Sequence, residues 1–420
     1  MHRTEAPAAT PRPTPRSWVR DAWLPILVVL LGYLAFAFFA LKQFDFNPTG
    51  PVRIGSALPG AAIFWDDTTY VHPDVGYDGQ WFYYIARDPL LRAPDPTSYL
   101  DLPAYRYARI LYPALAWTVA LGQPAAIPWA MLAINVLAAV GGAVACYDLL
   151  RQLGVNRWLV LGFAFSPPVM LGVSAMLAEP TSMALVVAGL ALALRSRHRL
   201  AGVVLALAVL AREPCLLVPL GLGLYALGRL DWRRAAAYLL PLSVPALWHL
   251  WILAKLGALP SWQSPPNFGV PFSGAYYRLG LLLGWHGPLY DEPIPTTNVF
   301  GESVIIIASC LILVVGLVKI LERRDAFAWL LWLQALLALG TTPVVWMDLY
   351  SYGRVLGLVY FMYALMLLTN PRRGASLPAR LVEWTTFVPS RTILQDLVSR
   401  AVTSFSTPAF SPVKRTEKHS

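Results

Sequence analysis

Charged side chains are scarce in this 420-residue chain. They make up 13% of the residues, whereas 57% of the residues are hydrophobic. A soluble domain carries roughly a quarter charged residues, so this chain cannot cover a surface that faces water on all sides. The composition excludes an ordinary soluble domain and predicts an all-α polytopic membrane protein.

Cysteines and phosphate-binding loops are also lacking. The three cysteines, Cys146, Cys215 and Cys310, lie within or beside apolar runs and form neither a disulfide framework nor a metal-binding spacing. No glycine-rich phosphate loop or dinucleotide fingerprint is present. The sequence therefore excludes a disulfide-stapled fold and gives no support to nucleotide binding.

The net charge of +10 does not indicate a nucleic-acid partner. The basic residues form no continuous stripe of the kind that follows a phosphate backbone. They fall in short clusters between apolar runs, and the chain has 16 Trp and 19 Tyr, the residues that are enriched at membrane interfaces. Membrane lipids are the expected surroundings, and no nucleic acid is expected.

Ten apolar runs predict membrane-spanning helices. The first run follows Arg12, Arg16 and Arg20 and is too long for a cleaved signal, so it predicts a signal anchor with a cytoplasmic N-terminus. A full span needs roughly 20 residues, and the runs 200–211 and 214–228 are short by that measure. The predicted spans are 23–41, 126–147, 158–177, 180–194, 200–211, 214–228, 235–255, 302–320, 327–346 and 349–368.

The charges of the loops predict the orientation. With the N-terminus inside, every inner loop is basic and every outer loop carries a carboxylate, as the positive-inside rule requires. This assignment of inner and outer loops holds only if 107–122 is a helix on the outer interface and not a span. The predicted parts are a disordered cytoplasmic N-terminus at 1–22, a transmembrane domain at 23–370 with large outer loops at 42–125 and 256–301, and a cytoplasmic tail at 371–420.

The first outer loop is rich in carboxylates and aromatic rings, most densely in residues 64–89, FWDDTTYVHPDVGYDGQWFYYIARDP. Carboxylates supply general bases and cation ligands, and aromatic rings stack on sugars. Residues 79–86 resemble the start of a helix with Asp78 at its N-cap position. Asp78 is therefore either a helix cap or a rigidly held catalytic carboxylate, and the two roles do not exclude each other.

Two further sites place charges beside apolar runs. Glu179 precedes Pro180 at a short outer turn. It either terminates a helix at the interface or has a functional role. Arg212 and Glu213 interrupt the apolar run 200–228, and a charge at the bilayer centre costs about 2.5–3.5 kcal/mol. We predict a hairpin whose turn lies at membrane depth in a cavity open to the outside, where Arg212 can hold a lipid phosphate. A purely structural Arg–Glu pair and one long helix are the alternatives.

The segments YDGQWFYYIARDP and YRYARILYP resemble the first-loop signature of bacterial cell-surface glycopolymer glycosyltransferases, which look like distant relatives of the phosphatidylinositol-glycan and dolichyl-phosphate-mannose mannosyltransferases. The resemblance covers most of residues 20–230 and implies the GT-C fold, in which two interfacial helices follow an acidic motif in the first outer loop. Asp78 matches that motif, and Glu179, in SAMLAEPTS, matches the acidic residue of the next outer loop. Tyr77 stands where the mannosyltransferases have Trp, and Glu179 stands where many relatives have Asp.

The resemblance implies an inverting glycosyltransferase of cell-surface glycan assembly, in the bacterial inner membrane with its site facing the periplasm. The sugar would pass from a polyprenyl-phosphate donor to a glycan or lipid-linked acceptor. Asp78 would be the general base, Glu179 would orient the acceptor or help hold a cation, and arginines would neutralise the leaving phosphate. The alternatives are a transporter or flippase of a lipid-linked saccharide and a non-catalytic assembly subunit.

The remaining candidate site residues are polar, cationic or aromatic, and each has a structural alternative such as anchoring at the interface or binding an ordinary lipid headgroup. The candidates for substrate binding are Gln80, Trp81, Tyr83, Arg106, Arg109, Arg212, Glu213, His286, Tyr350 and Arg354. The sequence indicates no definite cofactor. A divalent cation, Mg²⁺ or Mn²⁺, is the candidate, with Asp66 and Asp67 as its candidate ligands.

Overall fold

A computed structural model describes residues 15–57, 59–264, 267–284, 299–323, 325–346 and 349–369. His286 and the tail 371–420 lie outside the described residues. The described chain is mostly helical. Its first helices are α1 (Pro15–Lys42), α2 (Gly79–Arg87), α3 (Pro103–Tyr107), α4 (Leu111–Val119), α5 (Ile127–Gln152), α6 (Val160–Ala164) and α7 (Pro167–Ser174).

The second half of the described chain continues the helical pattern. Its helices are α8 (Glu179–Leu194), α9 (His198–Ala211), α10 (Leu217–Gly228), α11 (Trp232–Leu239), α12 (Ser243–Leu256), α13 (Ser273–Leu282), α14 (Val299–Arg323), α15 (Ala326–Leu339), α16 (Pro343–Trp346) and α17 (Leu349–Leu368). Two strands, β1 (Ile54–Gly55) and β2 (Val71–His72), pair in parallel within the first large loop. The predicted all-α class holds apart from this short pair.

Several helices are long and apolar enough to cross a membrane, as in an all-α membrane protein. The described residues contain four such helices, or five if one bent pair is a single span. The bent pair, Arg157–Ala164 and Pro167–Ser174, turns by 48° where two prolines remove backbone donors, so the predicted span 158–177 is not one continuous helix. The four are Ala22–Lys42, Pro124–Gln152, Trp232–Leu256 and Ser351–Leu368.

The segment that the sequence placed on the interface, 107–122, is short and interrupted. It holds the last residue of α3 and then the nine-residue α4. At 1.5 Å per residue, α4 is about 13 Å long, less than half of the roughly 30 Å hydrocarbon core. A helix of this length cannot cross a bilayer, which agrees with its exclusion from the predicted spans.

Helices α8, α9 and α10 run back and forth between two ends of the bundle. α8 and α9 are 16 and 14 residues long, about 24 Å and 21 Å. Glu179 begins α8 and contacts Arg212, which follows α9. We call this end the site end, and we call the opposite end, with loops 195–199 and 229–234, the basic end.

The chain reverses at Arg212. Its backbone is extended, at φ −153° and ψ 130°, and Pro214 follows, so α9 cannot continue. His198 at the start of α9 and Arg229 after α10 line the same cavity, which places both at the basic end. The structure therefore contains the predicted hairpin, and the alternative of one long helix through 200–228 is wrong.

Candidate functional site

Asp78 lies immediately before α2, at the site end. It occupies the predicted N-cap position, but its side chain makes no capping hydrogen bond, so the alternative of a simple helix cap is wrong. Its two carboxylate oxygens instead accept hydrogen bonds from Arg106 Nη1 at 3.2 Å and Arg354 Nη2 at 3.0 Å. The side chain is 28% exposed. Asp78 is thus held by charge on two sides and remains reachable from solvent.

The neighbouring residues fix the position of Asp78. A Cβ atom on Gly79 would lie 2.3 Å from the carbonyl oxygen of Ala175 and 2.6 Å from that of Val52, so only glycine allows these backbones to approach so closely. Gln80, a predicted binding residue, is buried. Its Oε1 accepts from Gly55 N at 3.0 Å and its Nε2 donates to Val75 O at 2.9 Å. Gln80 therefore ties the loop to α2.

Arg354, on α17, joins the two carboxylates that the sequence singled out. Its Nη2 donates to Asp78, its Nε donates to Glu179 Oε1, and its Nη1 donates to the Tyr77 hydroxyl at 2.8 Å. The three donors of one planar guanidinium reach three different residues, a geometry that lysine cannot reproduce. Arg354 is 7% exposed, so these bonds lie largely out of water.

Glu179 is the most deeply buried member of the group, with a side chain that is 2% exposed. Its Oε1 accepts from both Arg354 and Arg212 Nη1, the latter at 2.9 Å. Its Oε2 is buried and has no hydrogen-bond partner within the described part of the chain. Burying a carboxylate without cations is costly, so the two guanidiniums keep Glu179 in place.

Arg212 and Glu213 do not pair with each other as the structural alternative supposed. Arg212 reaches back to Glu179, whereas Glu213 accepts from Arg109 Nε at 3.0 Å and 2.9 Å through its two oxygens. The Arg109 guanidinium also lies 4.6 Å from the centre of the Tyr105 ring. The hairpin tip is therefore tied to α8 on one side and to the α3–α4 segment on the other.

Arg106 links Asp78 to a carboxylate that the sequence analysis did not single out. Its Nε and Nη2 donate to the two oxygens of Asp101, at 2.8 Å and 2.7 Å. Its guanidinium lies 5.0 Å from the ring centre of the buried Trp81, a cation–π distance. The sequence analysis missed Asp101, which no periodicity marks. It named Tyr77 only for its departure from the mannosyltransferase motif and gave it no role in the site.

The network is electrically balanced. Four arginines, at 106, 109, 212 and 354, meet four carboxylates, at 78, 101, 179 and 213, so the formal charge of the set is zero. Burial alone raises the pKa of Asp78, but Arg354, Arg106 and Arg109 lower it by more, to well below its usual range. Asp78 is therefore ionised in the resting protein.

Several other predicted residues lie away from this network. The Tyr83 hydroxyl donates to Phe64 O at 3.3 Å and accepts from Arg87 Nη1 at 2.7 Å. Asp66 is exposed and closes a turn by accepting from Thr68 and Thr69. Asp67 is exposed as well. Tyr350 lies in α17, one turn before Arg354, and nothing is described of its side chain.

Metal ligation by Asp66 and Asp67 stays a prediction. Within the described ranges, no group of three or more His, Cys, Asp or Glu side chains is arranged to hold a metal ion. The Asp66 carboxylate oxygen Oδ1 already accepts from two threonine hydroxyls and one backbone amide.

The fold and this network define a helical membrane protein that gathers buried and half-buried charges at one end of its bundle. No family model, curated protein or solved structure matches the chain.

Proposed function

We propose that this chain is a membrane glycosyltransferase of the GT-C type, with about ten spans and with its site end facing the outside of a bacterial inner membrane. It would move a sugar from a polyprenyl-phosphate donor to a glycan or lipid-linked acceptor, with inversion. The observation that carries the proposal is the contact of Arg354 with both Asp78 and Glu179. That contact unites an accessible carboxylate, a buried carboxylate and phosphate-binding donors in one place.

The proposed orientation is supported by the positions of the charges. The number of proposed spans rests on five apolar helices of 10–17 residues that accompany the longer candidate spans in the described chain. The orientation rests on the exposed arginines of loops 195–199 and 229–234, which lie at the end of the bundle opposite to Glu179. Basic loops favour the cytoplasm, and the site end would then face outward.

The charge balance supports a specific sequence of events. As the acceptor oxygen bonds to C1 of the sugar, the bond from C1 to the phosphate oxygen breaks and its electron pair stays on the phosphate. Asp78 takes the proton of the acceptor hydroxyl and becomes a neutral acid. Arg106 and Arg354 lose their charged partner at the moment when the phosphate gains negative charge, so their donors can turn to the phosphate.

The low pKa of Asp78 fits a mechanism in which proton uptake by Asp78 depends on a bound donor phosphate. A carboxylate held by Arg354 and Arg106 is a weak base as long as both guanidiniums remain on it. A donor phosphate that draws these donors away would raise the basicity of Asp78 only when substrate is bound. The resting protein would then keep a base that does not take protons from water.

Purified protein in lipid, offered a panel of polyprenyl-phosphate sugars with an acceptor mixture, tests the proposal. Release of polyprenyl phosphate from one member of the panel is expected, and the product should have the opposite anomeric configuration to the donor. Movement of an intact lipid-linked saccharide between leaflets without release of polyprenyl phosphate would instead establish a flippase and end the proposal. Cysteine labelling at position 151 and at the exposed position 67 from each side checks the orientation.

A further inference from the structure

The basic end contains an open cavity of about 430 Å³ between the starts of α9 and α11. Its polar wall comes from two short segments, one before α9 and one in the first turn of α11. No carboxylate is among the residues that line it in the described chain. The basic residues that line it are Arg197, His198, Arg199, Arg233 and Arg234.

Of the four arginines that line the cavity, only Arg234 has an ion-pair partner among the described residues, Asp231 at 2.9 Å. Arg197, Arg199 and Arg233 are exposed and have no ion-pair partner among the residues that the structure describes. Three like charges around one cavity repel one another unless an anion lies between them. The site end differs from this cavity, because each of the four arginines in its network contacts a carboxylate.

The cavity has a rigid frame. His198 Nδ1 lies 2.7 Å from the Tyr238 hydroxyl, which joins α9 to α11. Gly202 allows the two backbones to touch, since a Cβ atom there would lie 1.9 Å from the carbonyl oxygen of Ala237. Asp231 caps α11 by accepting from Arg234 N at 3.0 Å. The arginine-bearing segments are therefore held at a fixed separation.

An exposed apolar surface continues from the cavity. Leu200 belongs to the cavity wall. Leu240, Val244 and Leu247 are exposed by 71%, 51% and 63% and recur at intervals of four and three residues, which places them on one helical face. They belong to the candidate span Trp232–Leu256, which buries little of itself against the protein. A ligand of this cavity can therefore place an acyl chain along the span.

We propose that the cavity binds the headgroup of a phospholipid with two phosphates, whose acyl chains lie along Leu240, Val244 and Leu247. Three unpaired arginines are best neutralised by a ligand with more than one negative charge. Guanidinium groups bind phosphate oxygens through two parallel hydrogen bonds. Basic pockets between membrane helices are suited to such headgroups. This lipid is distinct from the sugar donor, because α8 and α9 separate its cavity from Glu179 by more than about 20 Å.

Native mass spectrometry of the full chain in detergent tests the proposal with diphosphatidylglycerol, phosphatidylglycerol and phosphatidylcholine as probes. Wild type should retain one copy of diphosphatidylglycerol, at least about tenfold more tightly than phosphatidylglycerol. The triple variant R197Q/R199Q/R233Q should lose about 10- to 100-fold in that affinity. The variant R197K/R199K/R233K keeps the charges and should recover most of the affinity, which separates loss of charge from misfolding.

The matched control is R157Q, which removes an exposed arginine at the same end but outside the cavity. The affinity of R157Q for diphosphatidylglycerol should stay within about twofold of wild type, because Arg157 does not line the cavity. A lipid attracted by net charge alone would respond equally to the loss of either arginine. Equal losses in R157Q and in the single variant R233Q would overturn the proposal. Displacement of the lipid by inorganic pyrophosphate at equal concentration would also overturn it, by indicating a soluble diphosphate ligand.

Discussion

Arg354 binds Glu179 through its Nε, although the two residues stand 175 positions apart in the chain. The same guanidinium reaches Asp78 through Nη2, so the accessible and the buried carboxylate are held by one cation. The two acidic residues therefore share one electrostatic environment. A change in the charge of one carboxylate is expected to change the electrostatic potential at the other.

The first prediction concerns the proposed general base. Asp78→Asn keeps the shape of the side chain but cannot accept the acceptor proton, so turnover should fall by about 10²- to 10⁴-fold. Donor binding should be retained, because Arg106 and Arg354 are still present. Polyprenyl phosphate release and donor affinity are the two measurements. The control is Asp45→Asn, an exposed carboxylate of the same loop in a backbone conformation that asparagine tolerates. Full activity in D78N would refute the assigned role.

The second prediction concerns the geometry of Arg354. Arg354→Lys keeps the positive charge but cannot place three donors on Asp78, Glu179 and Tyr77 at once. It should lower both the melting temperature and the activity. Arg212→Lys should cost less, since Arg212 reaches Glu179 through Nη1 and an ammonium can take that place. Equal losses in the two variants would show that charge alone matters there.

The third prediction concerns the buried carboxylate. Glu179→Gln leaves Arg212 without a charged partner and leaves Arg354 with Asp78 alone, so it should destabilise the protein by about 3–5 kcal/mol. The double variant E179Q/R212Q should be less destabilised than the sum of the two single variants, by about 0.5–3 kcal/mol. Thermal unfolding in lipid nanodiscs measures the cycle. Strict additivity would contradict the contact.

The fourth prediction is a pH dependence. Burial raises the pKa of Asp78, and Arg354, Arg106 and Arg109 lower it by more, so its folded pKa lies below the value of about 3.9 in the unfolded chain. Its contribution to stability is therefore present in full above that value and is lost as the pH falls through the folded pKa. The gap in melting temperature between wild type and D78N should narrow below about pH 4. A gap that is still constant at about pH 3 would contradict the lowered pKa.

The fifth prediction concerns the position of α2. Gly79→Ala drives a methyl group against the backbone oxygens of Ala175 and Val52, at 2.3 Å and 2.6 Å, and should cost about 1–3 kcal/mol. Gly141→Ala, in α5, meets nothing within 4 Å and gains helix propensity, so it should be neutral or stabilising by up to about 1 kcal/mol. Unfolding measurements on both variants separate the close approach from a general effect of alanine.

Local patterns predicted the elements well. Each of the ten predicted spans overlaps helical structure, and the helix expected to start at residue 79 runs from Gly79 to Arg87. Apolar runs and charged interruptions act over a few residues, so they can be read along the chain. The bend before Pro167 was not predicted, because 158–177 was taken as one span, and its angle depends on packing against other helices.

The partners of the charges could not be predicted in the same way. Glu213 is adjacent to Arg212, yet each binds a residue from a distant segment, Arg109 and Glu179. Asp78 stands at the predicted N-cap position, but it makes no capping hydrogen bond because two guanidiniums from other elements bind its oxygens. Such choices are decided when helices pack together, and spacing in one sequence does not encode them.

The zero formal charge of the site end has a consequence for selectivity. Each of its four arginines is already paired with a carboxylate, so chloride and other small anions are not drawn to the site by charge alone. An incoming ligand has to offer more than negative charge to displace Asp78 from Arg106 or Arg354, and extra contacts from a hydrocarbon tail or a sugar ring are what a small inorganic competitor lacks.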